Sequence, residues 1–527
     1  MKILPYFLLL VVCGMVFFFF RGPEHYDLLI RNARIADGTG APLVKGSIAV
    51  RGDRIVAVGD VKGAAEIEID ARGTVAAPGF IDVHTHSEAI PELPDAENFV
   101  RMGVTTIVSG NCGTSEPLVS AFFDKIKAAG CAINVATLIG HNTVRRRAMH
   151  GYYDRPPTPD ELQEMKAFVE QGMKDGAVGL STGLIYLPGA FASSDEIVEL
   201  AKVASAYGGI YASHMRAENV KIYDALDELL RVAREANIPA EVSHIKLTGP
   251  SAWGQADKVL AVLDKARAEG LRITQDAYSY TASSTGLSQL VPDDARANGA
   301  KALRASLRDP KKKAEILAAM KEMRERQGHR DYAYAVIARY PAEPSLNGMS
   351  IAEAAKLKRG SDSLEDQIEM VLDIQCRGGG TGVFHGINEA DLQRFLQHPD
   401  TMIASDGGPR SGEATDASHP RSYGNNARVL ARYVRELKTL TLPDAIRRMT
   451  SLPAKTFRLQ NRGTLTPGAF ADIVLFDPAK VNDPSTFKDP HHFAEGFSDV
   501  IVNGRPVLRA GSLTGIRSGG PLRAPSR

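Results

Sequence analysis

Apolar and polar residues alternate through residues 26–75, in DLLIRNARIAD, GSIAVRGDRIVAVGD and EIEIDARG. A period of two predicts short strands joined by tight turns. The same texture returns in GTLTPGAFADIVLFD at 463–477 and DVIVNGRPVLRAG at 499–511. Between these flanks, short apolar runs alternate with stretches of helical periodicity. Candidate strands fall at 77–84, 104–109, 132–139, 177–184, 209–214, 239–244, 271–276 and 401–406, with amphipathic helices between most of them, such as 159–174, 218–236 and 255–269. Eight βα units predict an α/β fold with a closed (β/α)8 TIM-like barrel rather than an open doubly wound sheet. The barrel is expected over 78–461, with the flanks 23–77 and 462–512 forming a small composite β-sandwich domain. Residues 286–360 read as a helical, lid-like insertion between the seventh and eighth strands, and VFHGI at 383–387 is a candidate ninth strand.

The two ends depart from this pattern. Residues 3–20 are an unbroken run of 18 uncharged, mostly apolar positions between Lys2 and Arg21. That length just spans the hydrocarbon of a bilayer. The run ends in four phenylalanines and carries no A-x-A cleavage site, so segment 1–22 is expected to be an uncleaved signal-anchor, with a cleaved signal peptide as the alternative. The protein is therefore expected to be exported, either membrane-anchored facing the exterior or secreted. Residues 513–527, rich in Gly, Ser, Arg and Pro, read as a flexible tail.

Composition narrows the chemistry. With 63 basic and 62 acidic side chains in 527 residues, nothing favours nucleic acid as a partner. Four cysteines cannot build a disulfide scaffold. No glycine-rich dinucleotide fingerprint or phosphate loop occurs.

The sharpest motif is Asp82-Val83-His84-Thr85-His86. Positions i and i+2 of a strand share a face, so both imidazoles can aim at one point. His214, His244 and Asp406 each fall at the end of another candidate strand. Barrel chemistry is built at such ends, and four imidazoles with a carboxylate would be a costly polar cluster unless they bind something. A metal answers this. Cys112, in a glycine-bracketed turn after the second strand, is a further candidate ligand, and a thiolate with imidazoles suits zinc. Lys246 lies two residues past His244 and could pair with a substrate carboxylate, as could Arg421 through bidentate hydrogen bonds.

These residues sit in PGFIDVHTH, GVTTIVSGNCG, GHNTVRRRAM, GLSTGLIYLPG, YASHMRAE, EVSHIK, QDAYSYTASS, ASDGG, HPRSYG, MTSLPAK and GAFADIVLFD. Together they resemble the D-aminoacylase (N-acyl-D-amino-acid deacylase) branch of the amidohydrolase superfamily, over nearly the whole chain. The resemblance implies a zinc-dependent hydrolase that releases a carboxylate and a D-amino acid from a small-molecule N-acyl-D-amino acid. It implies that Cys112, His214 and His244 hold a tightly bound zinc, that His84, His86 and Asp406 form a second, weaker position, and that Asp406 is the general base and acid. Tyr186 and Tyr278 match substrate-contacting positions, and Ser283 or Ser284 is expected to assist. The fourth strand lacks the lysine that bridges two metals in most binuclear members of the superfamily, and the resemblance implies that Cys112 takes that role. Two alternatives stand beside this reading: an amidohydrolase acting on another amide (a D-residue dipeptide, an acyl-peptide or a lipid-linked amino acid), or a catalytically inactive barrel scaffold. Residue types leave the side chain, the acyl group and the oligomeric state open.

Overall fold

The computed structural model describes residues 25–412 and 416–525; the apolar run at 3–20 lies outside them. Eight parallel strands close into a barrel. In chain order they are β1 (Phe80–Asp82), β2 (Val104–Ser109), β3 (Asn134–Thr137, continued by Ile139–Gly140), β4 (Gly179–Gly183), β5 (Ile210–His214), β6 (Ala240–Val242), β7 (Ile273–Ala277) and β8 (Thr401–Ile403). The seam between β8 and β1 closes just past the strand ends, where the Asp406 amide donates to the His84 carbonyl (2.9 Å) and Thr85 bridges Gly407. Strands such as Val104–Ser109 are buried along their whole length, because helices cover one side and the barrel core fills the other. Ile81, Val108, Leu138, Ile210 and Met402 form part of that core.

The two β-rich flanks do pair. Val75–Pro78 runs antiparallel to Ile473–Phe476, joining the flanks into one nine-stranded sheet. Its apolar side buries Leu28, Ile48, Val50, Ile55, Ile473 and Ile501.

The insertion differs from its sequence reading. It runs from Ser283 to Phe384 and is mostly helical as expected, but it also holds a small sheet: Ser283–Gly286, Ala335–Arg339 and Thr381–Phe384 form a three-stranded antiparallel sheet. The VFHGI segment therefore belongs to this sheet and not to the barrel. Helices including Pro310–Arg326 and Leu364–Cys376 flank the sheet, and Met320, Tyr332, Ile337, Ile351, Ile368 and Leu372 give the insertion its own core.

The C-terminal segment is a strap, not a flexible tail. Gly519 bridges Cys131, Pro521 bridges Val135, Arg517 pairs with Asp95 (2.7 Å), and Leu522 and Ala524 pack against the barrel core. It makes no regular element, so no periodicity announces it. A chain ending at Gly515 is expected to lose about 1–3 kcal/mol of stability, the apolar contact and hydrogen bonds of the strap together. Thermal unfolding of zinc-loaded full-length and shortened proteins measures this.

Among the described residues no helix is long and apolar enough to cross a membrane.

Candidate metal centre and active site

The carboxyl ends of β1, β2, β5, β6 and β8 bring His84, His86, Cys112, His214, His244 and Asp406 together. Cys112 Sγ lies 3.3 Å from His84 Nε2 and 3.6 Å from both His214 Nδ1 and His244 Nε2. His214 Nδ1 and His244 Nε2 are 2.8 Å apart. Asp406 Oδ1 lies 3.1 Å from His86 Nε2 and 3.5 Å from His84 Nε2. Three ligand groups overlap here: His84–His86–Cys112, Cys112–His214–His244 and His84–His244–Asp406, each with its ligand atoms within 4.8 Å of one another. Cys112 belongs to two of them.

Backbone conformation helps aim these side chains. Cys112 (φ 51°), His244 (φ 37°) and Asp406 (φ 50°) all lie in the left-handed region. That conformation costs a non-glycine residue about 1–2 kcal/mol. It persists where the surroundings over-determine it, and such strain gathers at functional sites.

The electrostatics favour a ligand-ready thiolate at Cys112, while nearby anions raise His84, His86 and His244 towards protonation despite burial. Burial would raise the Cys112 thiol, but His84, His214 and His244 outweigh it and hold the group well below its ordinary range, as a thiolate. Behind the candidate ligands stand carboxylates absent from the sequence reading. Asp276 on β7 faces His84 Nδ1 at 3.1 Å, and Glu218 faces His244 Nδ1 at 3.0 Å. Burial works against the Asp276 charge, yet His84 holds it below the usual carboxylate range. Burial and the Asp276 charge together push the adjacent Glu241 well above that range. Carboxylates that hold the far nitrogen of a ligating imidazole fix its tautomer and raise its basicity. The signals were present: Asp276 ends a barrel strand, and Glu218 follows His214 by four residues.

Of the expected substrate contacts, Lys246 borders the main cavity. It is buried, with its Nζ 2.5 Å from Glu218 and 2.8 Å from His244 Nδ1. Arg421 opens helix α3 (Arg421–Arg428), and its Nη1 lies 2.8 Å from Asp406 Oδ2. Tyr278 is buried between the two cations, with Arg421 4.8 Å and Lys246 5.7 Å from its ring centre, and its hydroxyl has no hydrogen-bond partner. Tyr186 packs edge-on to His214 (4.9 Å), and its hydroxyl accepts from Thr285 at 3.0 Å. Ser283 and Ser284 both border the main cavity, and Ser284 also borders a second opening beside His86 and Arg421.

The main cavity holds about 710 Å³ of empty space, its mouth included. Its outer wall comes from the insertion: Gln289, Leu290, Gln327, His329, Tyr334 and Phe384. His329, in a loop of the insertion, stacks on Tyr334 with ring centres 3.5 Å apart. Burial, aided by the nearby Arg324 charge, depresses its pKa to about 4, so it is neutral near pH 7. A histidine that resists protonation only when folded loses stability as pH falls from its unfolded value of about 6.5, at up to about 1.4 kcal/mol per pH unit. The loss levels off below about 4. The variant His329→Gln is therefore expected to show a shallower fall in unfolding free energy between pH 6.5 and 4. Parallel denaturant titrations would reveal it; equal slopes would refute it.

A family model described as amidohydrolase family matches residues 68–508. The chain belongs to that family. Among its amidohydrolase relatives, a D-aminoacylase from Alcaligenes xylosoxydans xylosoxydans is 34% identical, over 94% of this chain and 97% of its own. An N-acyl-D-glutamate deacylase from the same organism is also 34% identical, over 92% and 94%. A crystal structure of N-acyl-D-glutamate deacylase from Bordetella bronchiseptica, complexed with zinc and a phosphonate mimic of the tetrahedral intermediate, superposes with a TM-score of 0.82 at 33% identity, covering 95% of this chain and all of the other.

Proposed function

We propose that the protein is a zinc-dependent N-acyl-D-amino-acid deacylase whose substrates carry a neutral side chain. The observation that carries the reaction class is the convergence of a thiolate with four imidazoles and a carboxylate at the mouth of the barrel. The donors fit the metal: one soft thiolate, with imidazole nitrogens whose far sides are held by carboxylates, is a zinc set. Cys112, His214 and His244 would hold the tight ion, and His84, His86 and Asp406 the second, weaker one. When bound, zinc supplies an activated water near neutral pH and an electrophile for the amide carbonyl.

The protein groups do the rest. Asp406 accepts the proton of the attacking water and delivers it to the departing amine, so that the C–N bond breaks to a carboxylic acid and a free amine. Arg421, Lys246 and the unpartnered Tyr278 hydroxyl form a cradle for the substrate carboxylate. That cradle orients the scissile amide against the ligand cluster. The relatives' names supply the preference for D-amino acids.

Relatives of nearly equal identity are named for D-amino acids in general, for D-glutamate and for D-aspartate, so similarity does not choose between a neutral and an acidic side chain. The cavity does. Its outer wall of Leu290, Phe384, Tyr334, neutral His329 and two glutamines offers no cation to a second carboxylate. Nearby arginines are engaged elsewhere: Arg296 with Asp293 and the Ile185 carbonyl, Arg324 with the His329 and Arg330 carbonyls. Burying an unpaired carboxylate there would cost several kcal/mol, on the order of a hundredfold or more in kcat/KM. A panel of N-acetyl-D and N-acetyl-L amino acids, with zinc measured in parallel, is the test. Hydrolysis is expected for D-leucine, D-methionine and D-phenylalanine derivatives. Equal rates on the L series would refute the stereochemical part, and a preference for D-glutamate or D-aspartate the side-chain part.

The 18-residue apolar run supports a further proposal, export with the barrel outside the cytoplasm. Fractionating cells that express the full chain or one starting at Gly22 tests it; identical distributions would overturn it.

A further inference from the structure

We propose that Asn142 is a positioning residue that locks the Cys112 turn to the loop carrying Tyr186. Asn142 is the second residue of helix α1 (His141–Ala148), is buried, and does not border the substrate cavity. Its side-chain Nδ2 donates to two carbonyls, Gly183 O and Tyr186 O, each at 3.1 Å. Those carbonyls bracket the turn that leaves β4. With both amide hydrogens committed, Oδ1 faces the opposite way, into a slot between Gly113 and Gly189. A Cβ on Gly113 would lie 2.3 Å from Oδ1, and one on Gly189 would lie 2.4 Å from it. Only glycine leaves room for the amide at either place.

Gly113 directly follows the ligand Cys112. It is held from the same helix, because the Thr143 amide donates to its carbonyl at 3.1 Å, and from β4, because its own amide donates to Ser181 Oγ at 3.1 Å. The side chain of Asn142 thus meets both the turn that aims the thiolate and the loop that sets Tyr186 beside His214. It is anchored from behind. His141 lies between Asn142 Oδ1 (Nδ1, 3.3 Å) and Glu196 (Nε2, 2.8 Å) of helix α2 (Ser194–Ala206). Glu196 also pairs with the fully buried Arg145, which grips the Tyr153 and Arg155 carbonyls. Arg145 belongs to a basic run that in sequence resembles a solvated face; the structure makes it an internal brace.

The consequence is a coupling. Near-attack geometry is sensitive to displacements of about 1 Å, which cost on the order of a hundredfold in rate. Losing the Asn142 amide frees the Tyr186 loop to drift relative to the thiolate, without removing any group that touches substrate. The activity arm of the test rests on the proposed deacylase reading; the exchange arm does not.

The experiment compares Asn142→Ala and the near-isosteric Asn142→Asp with the parent, each alone and combined with Tyr186→Phe, at equal zinc content. In hydrogen–deuterium exchange, both Asn142 variants are expected to speed exchange at 183–190 and 111–115 together, leaving 240–242 unchanged. In kinetics, kcat/KM is expected to fall on the order of ten- to a hundredfold for Asn142→Ala, yet less than about threefold when Tyr186 is already phenylalanine. Equal losses in both backgrounds, unchanged exchange at either segment, or losses that track zinc content would each overturn the proposal. A parent that binds zinc but hydrolyses no N-acyl amino acid would instead refute the functional reading, and the exchange arm would still decide the coupling.

Discussion

Replacing Asp406 with asparagine is expected to lower kcat on N-acetyl-D-leucine by about 10²–10⁴-fold, the usual worth of a positioned general acid and base. The side chain joins the histidine cluster to Arg421. Its Oδ1 lies 3.1 Å from His86 Nε2, and its Oδ2 lies 2.8 Å from Arg421 Nη1. Asparagine keeps the shape and can still touch Arg421, but it cannot take up a proton at working pH. The group proposed to hold the tight zinc, Cys112, His214 and His244, does not include Asp406, so one zinc per chain should remain. KM should change far less than kcat, because Arg421, Lys246 and Tyr278 are all retained. Steady-state kinetics with zinc analysis of the same samples distinguishes the outcomes. A loss below about tenfold would move the proton transfer to another group. Loss of the tight zinc would make Asp406 chiefly a ligand.

How far these roles could be seen in the sequence depends on how local each one is. His84 and His86 share a motif in which spacing alone implies convergence. His214, His244 and Asp406 were legible because each falls where an apolar run stops, and in a barrel that is where chemistry is placed. Asp276 obeys the same rule, yet its partner His84 is 192 residues away, and no local pattern distinguishes a carboxylate that orients a ligand from one that is a ligand. Glu218 follows a strand without belonging to any periodic element. His329 was harder still, since it reaches the cavity only because the insertion folds back over the barrel mouth. The insertion's sheet was hard to read for a related reason: SSTG carries little apolar alternation, and VFHGI, read as a candidate ninth strand, gives no local sign of the sheet it joins. The left-handed backbones of Cys112, His244 and Asp406 are invisible in sequence, because the residues there are not the glycine that normally marks such a position.

The largest effect is expected at Cys112. Substitution by serine should weaken zinc binding by on the order of a thousandfold or more, since a ligand contributes more than the outer contacts whose loss costs 10–100-fold. Activity should fall with it. Two independent features carry this expectation. Cys112 is shared by two of the three overlapping ligand groups, so its loss breaks both. It is also the anion that faces the imidazole cluster from within: His84, His214 and His244 all point a nitrogen at its sulfur from 3.3–3.6 Å. A serine hydroxyl has neither the charge nor the softness to stand in. The competing view, that Cys112 is one more small buried side chain like Cys131, makes the opposite prediction. Burial pushes the Cys131 thiol up to about 11, as for an inert core cysteine, whereas the Cys112 thiol is held down. Chelator competition gives the affinity change directly. Cobalt substitution gives a second readout without turnover, because a thiolate ligand produces a charge-transfer band that serine cannot. If Cys112→Ser keeps a tight zinc while Cys131→Ser behaves the same way, the thiolate is not a ligand and the zinc assignment shifts to the histidines and Asp406 alone.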